Sequence, residues 1–229
     1  MTTKASDIFT HRITIVTGHY GTGKTEVSVN LALQLAKEER PLMMADMDIV
    51  NPYFRSRERR AELEAAGVRM ITTSNSLADA DIPAIPAEVY TIIEDQSYRG
   101  LLDVGGDPSG ARVLARFASK ILQEDYQMVY VVNANRPDAD TCEKTVDFIR
   151  AIEATSGLKV TGLVNNTHLC QATTLDDLYA GAALMREVSE VTGIPMLCHT
   201  VRDTLANQVE GISEPLMGID IYMKKPWER

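Results

Sequence analysis

The chain has 229 residues, 45% of them hydrophobic and 24% charged, and carries a net charge of −9 at neutral pH. That balance is ordinary for a soluble globular protein with a buried core, and the acidic excess argues against broad adhesion to nucleic acid or anionic membranes. No run approaches the roughly 20 apolar residues of a membrane span, and the first residues, MTTKASDIFTHR, lack the apolar stretch of a signal peptide.

Cys142, Cys170 and Cys198 are widely spaced and odd in number, with no C-x-C or C-x-x-C pair. The expectation is reduced cysteines in a cytoplasmic protein, without a zinc knuckle or a self-contained iron–sulfur site. Short apolar runs alternate with helix-length amphipathic segments, the pattern of a parallel sheet covered on both faces. Strands are expected over 12–17, 42–46, 68–72, 100–104, 128–133, 160–165 and 195–199. Helices are expected over 24–37, 55–66, 86–95, 111–123, 138–155, 175–192 and 204–210. The fold class is therefore α/β, a three-layer α/β/α arrangement around a mostly parallel sheet of about seven strands. With no repeat and no linker-like stretch, residues 1–229 are expected to form one nucleotide-binding domain.

The first strand runs straight into Gly18-His19-Tyr20-Gly21-Thr22-Gly23-Lys24-Thr25, a G-x-x-x-x-G-K-T phosphate loop opening a helix. Its glycines let backbone N–H groups converge on phosphates, and the helix N-terminus behind them favours negative charge. Lys24 is expected on the terminal phosphates and the Thr25 hydroxyl on Mg²⁺. Gly18, Gly21, Thr22, Gly23, Lys24, Thr25 and Glu26 form the expected nucleotide-contact set. Val27, Leu31, Ala32 and Leu35 give the following helix an apolar stripe.

In such sheets the ligand lies beyond the carboxyl ends of the strands, and polar residues do gather there. After the second strand, Asp46 and Asp48 stand two residues apart on one side of an extended chain. One would hold the Mg²⁺ shell, Asp46, and the other would orient the attacking water, Asp48; the competing reading is an Asp- and Asn-Pro-rich turn. After the fourth, Leu101-Leu102-Asp103-Val104-Gly105-Gly106-Asp107-Pro108 ends an apolar run in a carboxylate, the Walker B arrangement with Asp103 on the metal. After the sixth, Asn165-Asn166-Thr167 offers amides, of which Asn166 is expected on a purine edge, although asparagine is also common in loops. The guanine-specifying N-K-x-D motif is absent, which favours ATP. Val201 or Asp203, after the last strand, is expected beside the base, and Asn133-Ala134-Asn135-Arg136-Pro137, with Arg136 its one charge, is expected to face a substrate or partner.

The GHYGTGKT loop, the DMD strand end, the LLDVGGDPSG segment and the GLVNN strand, in that order, resemble the deviant Walker A group of P-loop ATPases, the MinD/ParA/nitrogenase-iron-protein superfamily. The resemblance implies ATP and Mg²⁺ binding, hydrolysis-governed switching on a protein partner, and a nucleotide-dependent homodimer. It implies that Asp48 positions water, that Asp103 takes the Walker B role, that Asn166 meets adenine, and that Asp107 joins the switch to a partner-facing surface.

Two departures matter. The family's K-G-G opening is replaced by His19 and Tyr20, so the lysine that reaches across the dimer is absent. Relatives without it, similar to dethiobiotin synthetase, act on small substrates, and an ATP-dependent ligase or kinase is the alternative. The cluster-bridging cysteines of the iron protein are also missing: Gly110 stands at the position in its switch segment, which disfavours electron transfer. Arg55 or Arg57, in the segment after the DMD end, is the candidate to supply the missing positive charge at the γ-phosphate; the competing reading is a solvated helix face.

Overall fold

The computed structural model describes residues 1–48, 55–71 and 88–223, apart from the side chain of Ser109. An eight-stranded sheet runs through it, with every described strand pair parallel, in the order β3-β2-β4-β1-β5-β6-β7-β8. The strands are β1 (Ile13–Gly18), β2 (Leu42–Asp46), β3 (Arg69–Ile71), β4 (Arg99–Asp103), β5 (Tyr126–Val132), β6 (Gly162–Asn165), β7 (Met196–Val201) and β8 (Leu216–Gly218).

Period-two alternation sends side chains to two cores. On β5, Met128, Tyr130 and Val132 enter one core while Val129 and Val131 enter the other. One face is covered by α1 (Ala5–Ile8), α2 (Lys24–Leu35) and α3 (Arg60–Ala65), through Ala5, Val27, Leu31, Leu35 and Leu63. The opposite face is covered by α4 (Val89–Glu94), α5 (Pro108–Ala115), α6 (Ala118–Ile121), α7 (Cys142–Ser156) and α8 (Leu175–Thr192). Fully burying each Leu or Ile in these stripes contributes about 1.5–3 kcal/mol, which is why the apolar pattern dictates the layering.

Local chemistry sets most boundaries. Thr141 caps α7 by accepting from Lys144 N–H, and Gly157 ends it with a left-handed turn. A Thr174–Asp177 capping box opens α8, and Gly193 closes it in the same left-handed conformation. Buried Arg12, one residue before β1, donates to the carbonyls of Ile92 and Ile93 at the C-terminal end of α4 and pairs with Glu124 at 2.6 Å.

The expected seven strands are all present, and the eighth was missed. β8 has three residues and is held by its register with β7 and by Thr3 N–H on Leu216 O at 2.7 Å, neither of which leaves a local pattern. The helix expected over 111–123 is split into α5 and α6 at buried Phe117, and that expected over 55–66 begins as a 3₁₀ turn, Ser56–Arg59, before α3. The short helix expected over 204–210 is α9 (Asp203–Ala206). The ends of the expected elements at residues 72 and 86–87, and the tail from 224 onward, lie outside the described residues. Among the described residues, no helix is long and apolar enough to cross a membrane.

Candidate nucleotide site

β1 delivers the phosphate loop to the carboxyl edge in the middle of the sheet. Gly18 has φ +149°, and a Cβ there would lie 2.6 Å from the Val131 carbonyl oxygen, so the chain leaves β1 against β5 only as glycine. Gly23, at φ +86°, caps α2, and a Cβ there would lie 2.3 Å from Asn166 Nδ2. Between them the loop closes on the His19 carbonyl, which accepts from Thr22 Oγ1 at 2.9 Å and Lys24 Nζ at 3.1 Å. Burial lowers the Lys24 ammonium from its ordinary pKa, opposed by the charges of Asp103, Asp48 and Asp107. Thr25, the second residue of α2, is half-buried.

β2 and β4 bring the carboxylates beside this loop, with Asp46 and Asp103 paired in register at their strand ends. Asp46 Oδ2 accepts from Arg57 Nε at 2.7 Å, and its Oδ1 accepts from the Asp48 backbone N–H at 3.2 Å. Asp103 is 1% exposed; Ser28 Oγ donates to its Oδ1 at 3.0 Å, while its Oδ2 is buried without a hydrogen-bond partner. Burial, reinforced by the charge of Asp46 and opposed by Lys24, pushes the Asp103 pKa up to about 7. The Gly105–Gly106 backbone then packs on the loop: a Cβ at Gly106 would lie 2.4 Å from Lys24 Nζ and 2.8 Å from Tyr20 N. Asp107 caps α5, accepting from Gly110 N–H at 2.6 Å.

The donor set fits a hard divalent cation. Asp103 Oδ2 is a buried oxygen lacking a partner, and Thr25 stands on the adjacent first turn of α2. Among the described residues no three His, Cys, Asp or Glu side chains form a ready cage, so phosphate oxygens and water would complete the shell of a Mg²⁺ here. Ser28 was missed by sequence reasoning; its position three residues after Thr25, on the same side of α2, was the available signal.

The far flank lies at the ends of β6 and β7. Asn166 does not present its amide outward: Nδ2 donates to Thr22 O at 2.8 Å and Oδ1 accepts from Thr200 Oγ1 at 2.6 Å. It is fully buried, with both ends of the amide engaged, and it ties the phosphate loop to β7. Neighbouring Asn165 donates to Leu178 O and meets His199 Nδ1, each at 3.0 Å. Val201, expected after the last strand, is instead the final residue of β7 and lines a pocket with His168, Thr200 and Arg202. The His168 pKa is pushed down to about 4 by burial and by the nearby Arg136. Arg136 reaches the loop itself, donating from Nε to Gly21 O at 2.6 Å.

The Glu26 carboxylate accepts from Tyr222 N–H at 2.7 Å and Met223 N–H at 3.1 Å. At 100° per residue, two steps beyond Lys24 turn the side chain away from the loop and toward the chain after β8. Arg55 immediately precedes the 3₁₀ turn in extended conformation, while Arg57, within the turn, takes the contact with Asp46.

A family description, CbiA, the CobQ/CobB/MinD/ParA nucleotide binding domain, matches residues 13–193, from β1 through the end of α8. The chain belongs to that family. For this CobQ/CobB/MinD/ParA-type domain, comparison with curated protein sequences produced no match. Solved structures of similar fold include the signal recognition particle receptor FtsY from Elizabethkingia anophelis, at a TM-score of 0.57 and 16% identity over 85% of this chain. FtsY from Thermotoga maritima gives 0.53 and 18% over 80%. The Signal Recognition Particle 54 kDa protein from Aeropyrum pernix K1, solved with GDP, gives 0.51 and 18% over 80%. The match spans 59%, 59% and 40% of those chains, respectively, and the likeness is one of fold.

Proposed function

We propose that this domain is a Mg²⁺-dependent ATPase of the cytoplasm whose nucleotide-driven conformational change acts on a protein partner, with the triphosphate form pairing two copies of the chain. One observation carries the reading: Asp103, paired in register with Asp46 at neighbouring strand ends, is held to α2 by Ser28 and acts on the Lys24 charge, with its Oδ2 left unpartnered. Family membership supports a nucleotide there in general, and the missing N-K-x-D motif favours adenine over guanine.

In this reading the Gly18–Thr25 backbone cradles the phosphates, and Lys24 exchanges the His19 carbonyl for phosphate oxygens. Thr25, Asp103 and Asp46 would hold Mg²⁺, whose charge would offset that developing on those oxygens. Asp48, buried beside Gly105, orients the attacking water, and Arg55 stabilises the charge of the transferring group. The base lies toward Val201, while Asn166 serves binding by holding Thr22 and Gly23 in shape.

The test is equilibrium titration with fluorescent ATP and GTP analogues, in Mg²⁺ and in EDTA, followed by phosphate release. Mg²⁺-dependent binding that prefers ATP, with turnover, is expected; equal or stronger binding of GTP would overturn the adenine assignment. A second reading, a ligase or kinase acting on a small substrate, is favoured by position 19. There a histidine packs edge-on against Phe148, with ring centroids 4.3 Å apart, where the superfamily's lysine would reach a partner. Nucleotide turnover appearing only when small acids or amines are supplied would select it.

A further inference from the structure

The 3₁₀ turn Ser56–Arg59 touches two distant parts of the molecule at once. At one end Arg57 binds Asp46 Oδ2 through Nε at 2.7 Å, and its backbone N–H points to the same oxygen at 3.4 Å. At the other end Arg59 Nη2 donates to Tyr222 O, and the Arg59 charge faces Glu26. The segment that Arg59 holds is docked along α2 by a row of polar side chains one helical turn apart. Glu26 accepts from Tyr222 and Met223; Asn30 exchanges two hydrogen bonds with Asp220, at 2.9 and 2.8 Å; and Gln34 donates to Gly218 O at 2.7 Å.

We propose that this turn is a two-ended latch, through which a divalent cation arriving at Asp46 loosens residues 218–223 from α2. The proposal rests on the Mg²⁺–nucleotide reading above and extends it to regulation. Asp46 has a fully buried side chain, so a guanidinium and a metal ion compete for the same few oxygens. A doubly charged cation beside a polyphosphate draws Asp46 away from Arg57, and with it goes the backbone contact of the turn. The turn is suited to a second position because Ser56 Oγ and Arg59 Nε are already buried without hydrogen-bond partners. Movement there shifts Arg59, which removes one ligand of Tyr222 and the positive charge beside Glu26. The released segment forms a wall of a surface cleft of about 530 Å³, between Lys4, Lys37, Gln34 and Tyr222, so the state of the site is written onto a distant face.

Backbone hydrogen exchange at Tyr222 and Met223 in the full chain tests this. It is measured with a non-hydrolysable ATP analogue in Mg²⁺ and in EDTA, alongside binding of the same analogue. Mg²⁺ with the analogue should speed exchange at both amides at least about 5-fold over the analogue in EDTA. Arg57→Ala should speed it in EDTA and tighten Mg²⁺-dependent binding by about 3- to 10-fold, because the competing cation is gone. Arg59→Ala should speed exchange in both conditions and leave affinity within about 2-fold. Should Arg57→Ala fail to fold, Arg57→Lys, which keeps charge without the planar fork, should lie between it and the parent. Tight Mg²⁺-dependent binding with unchanged exchange overturns the latch and leaves the nucleotide reading standing; absence of binding overturns both.

Discussion

The two flanks of the phosphate loop are built from opposite kinds of polar group. On the β2–β4 side three carboxylates converge, one of them with a buried oxygen lacking a partner and a pKa near 7. On the β6–β7 side the amides of Asn165 and Asn166 are neutral and engaged at both ends. A buried charge without full compensation is costly, so under the proposed function the first flank would be stabilised by acquiring a cation; a satisfied amide network gains nothing by moving. The difference teaches that one side of the loop is built from charges open to a new partner while the other is built from amides already satisfied.

The sharpest way to break that contrast is at the loop's own charge. Lys24→Ala should lower phosphate release by at least about 100-fold, and Asp48→Asn by a similar factor with nucleotide binding retained. Thermal unfolding should shift little for Lys24→Ala, since burial already disfavours that ammonium. A large fall in Tm would mean that the charged flank is a structural element after all.

On the neutral flank the effect should fall on stability. Asn166→Ala removes the donor to the Thr22 carbonyl and leaves the Thr200 hydroxyl only its longer bond to Asn165 O, at 3.3 Å, and should cost about 1–3 kcal/mol in urea unfolding. Nucleotide affinity should then drop equally in Mg²⁺ and in EDTA; a loss confined to Mg²⁺ would contradict the division of roles.

Asp103→Asn should do the reverse. The folded pKa of Asp103, about 7, lies above the ordinary carboxylate value, so the folded state binds the extra proton and stability declines as pH rises from about 4 to 7. At pH 8 without Mg²⁺ the variant should therefore be more stable, by about 1–3 kcal/mol, and the gain should vanish near pH 4.

The smallest expected effect belongs to His168. Its folded pKa, about 4, lies below the unfolded value, so stability is lost as pH falls from about 6.5 toward 4. His168→Gln should flatten that part of the pH–stability curve by at most about 3 kcal/mol; an unchanged slope would mean that protonation there is absorbed by Asp177.

Much of the layout was legible because it is local. β2 and α8 match their expected bounds, since a bracketed apolar run and a capped, periodic helix announce themselves within a few residues. The 111–123 segment reads as one helix in sequence and forms two, because the packing of Phe117 outweighs a continuous propensity. In the site, Asp46, Asp48, Asp103 and Arg136 were singled out from their places at strand ends, while Ser28 carried no motif of its own.

By itself the sequence determined the phosphate loop, the alternation of strand and helix, and the strand ends at which carboxylates gather. Glycines, periodicity and caps act over a few residues, and their physics is complete within that window. Tertiary structure alone decided which partner each polar side chain took. Glu26 meets Tyr222 across 196 positions, and Asn166 meets Thr22 across 144. At such separations many donors and acceptors are chemically equivalent, and only the packed sheet and helices bring one pair within 3 Å.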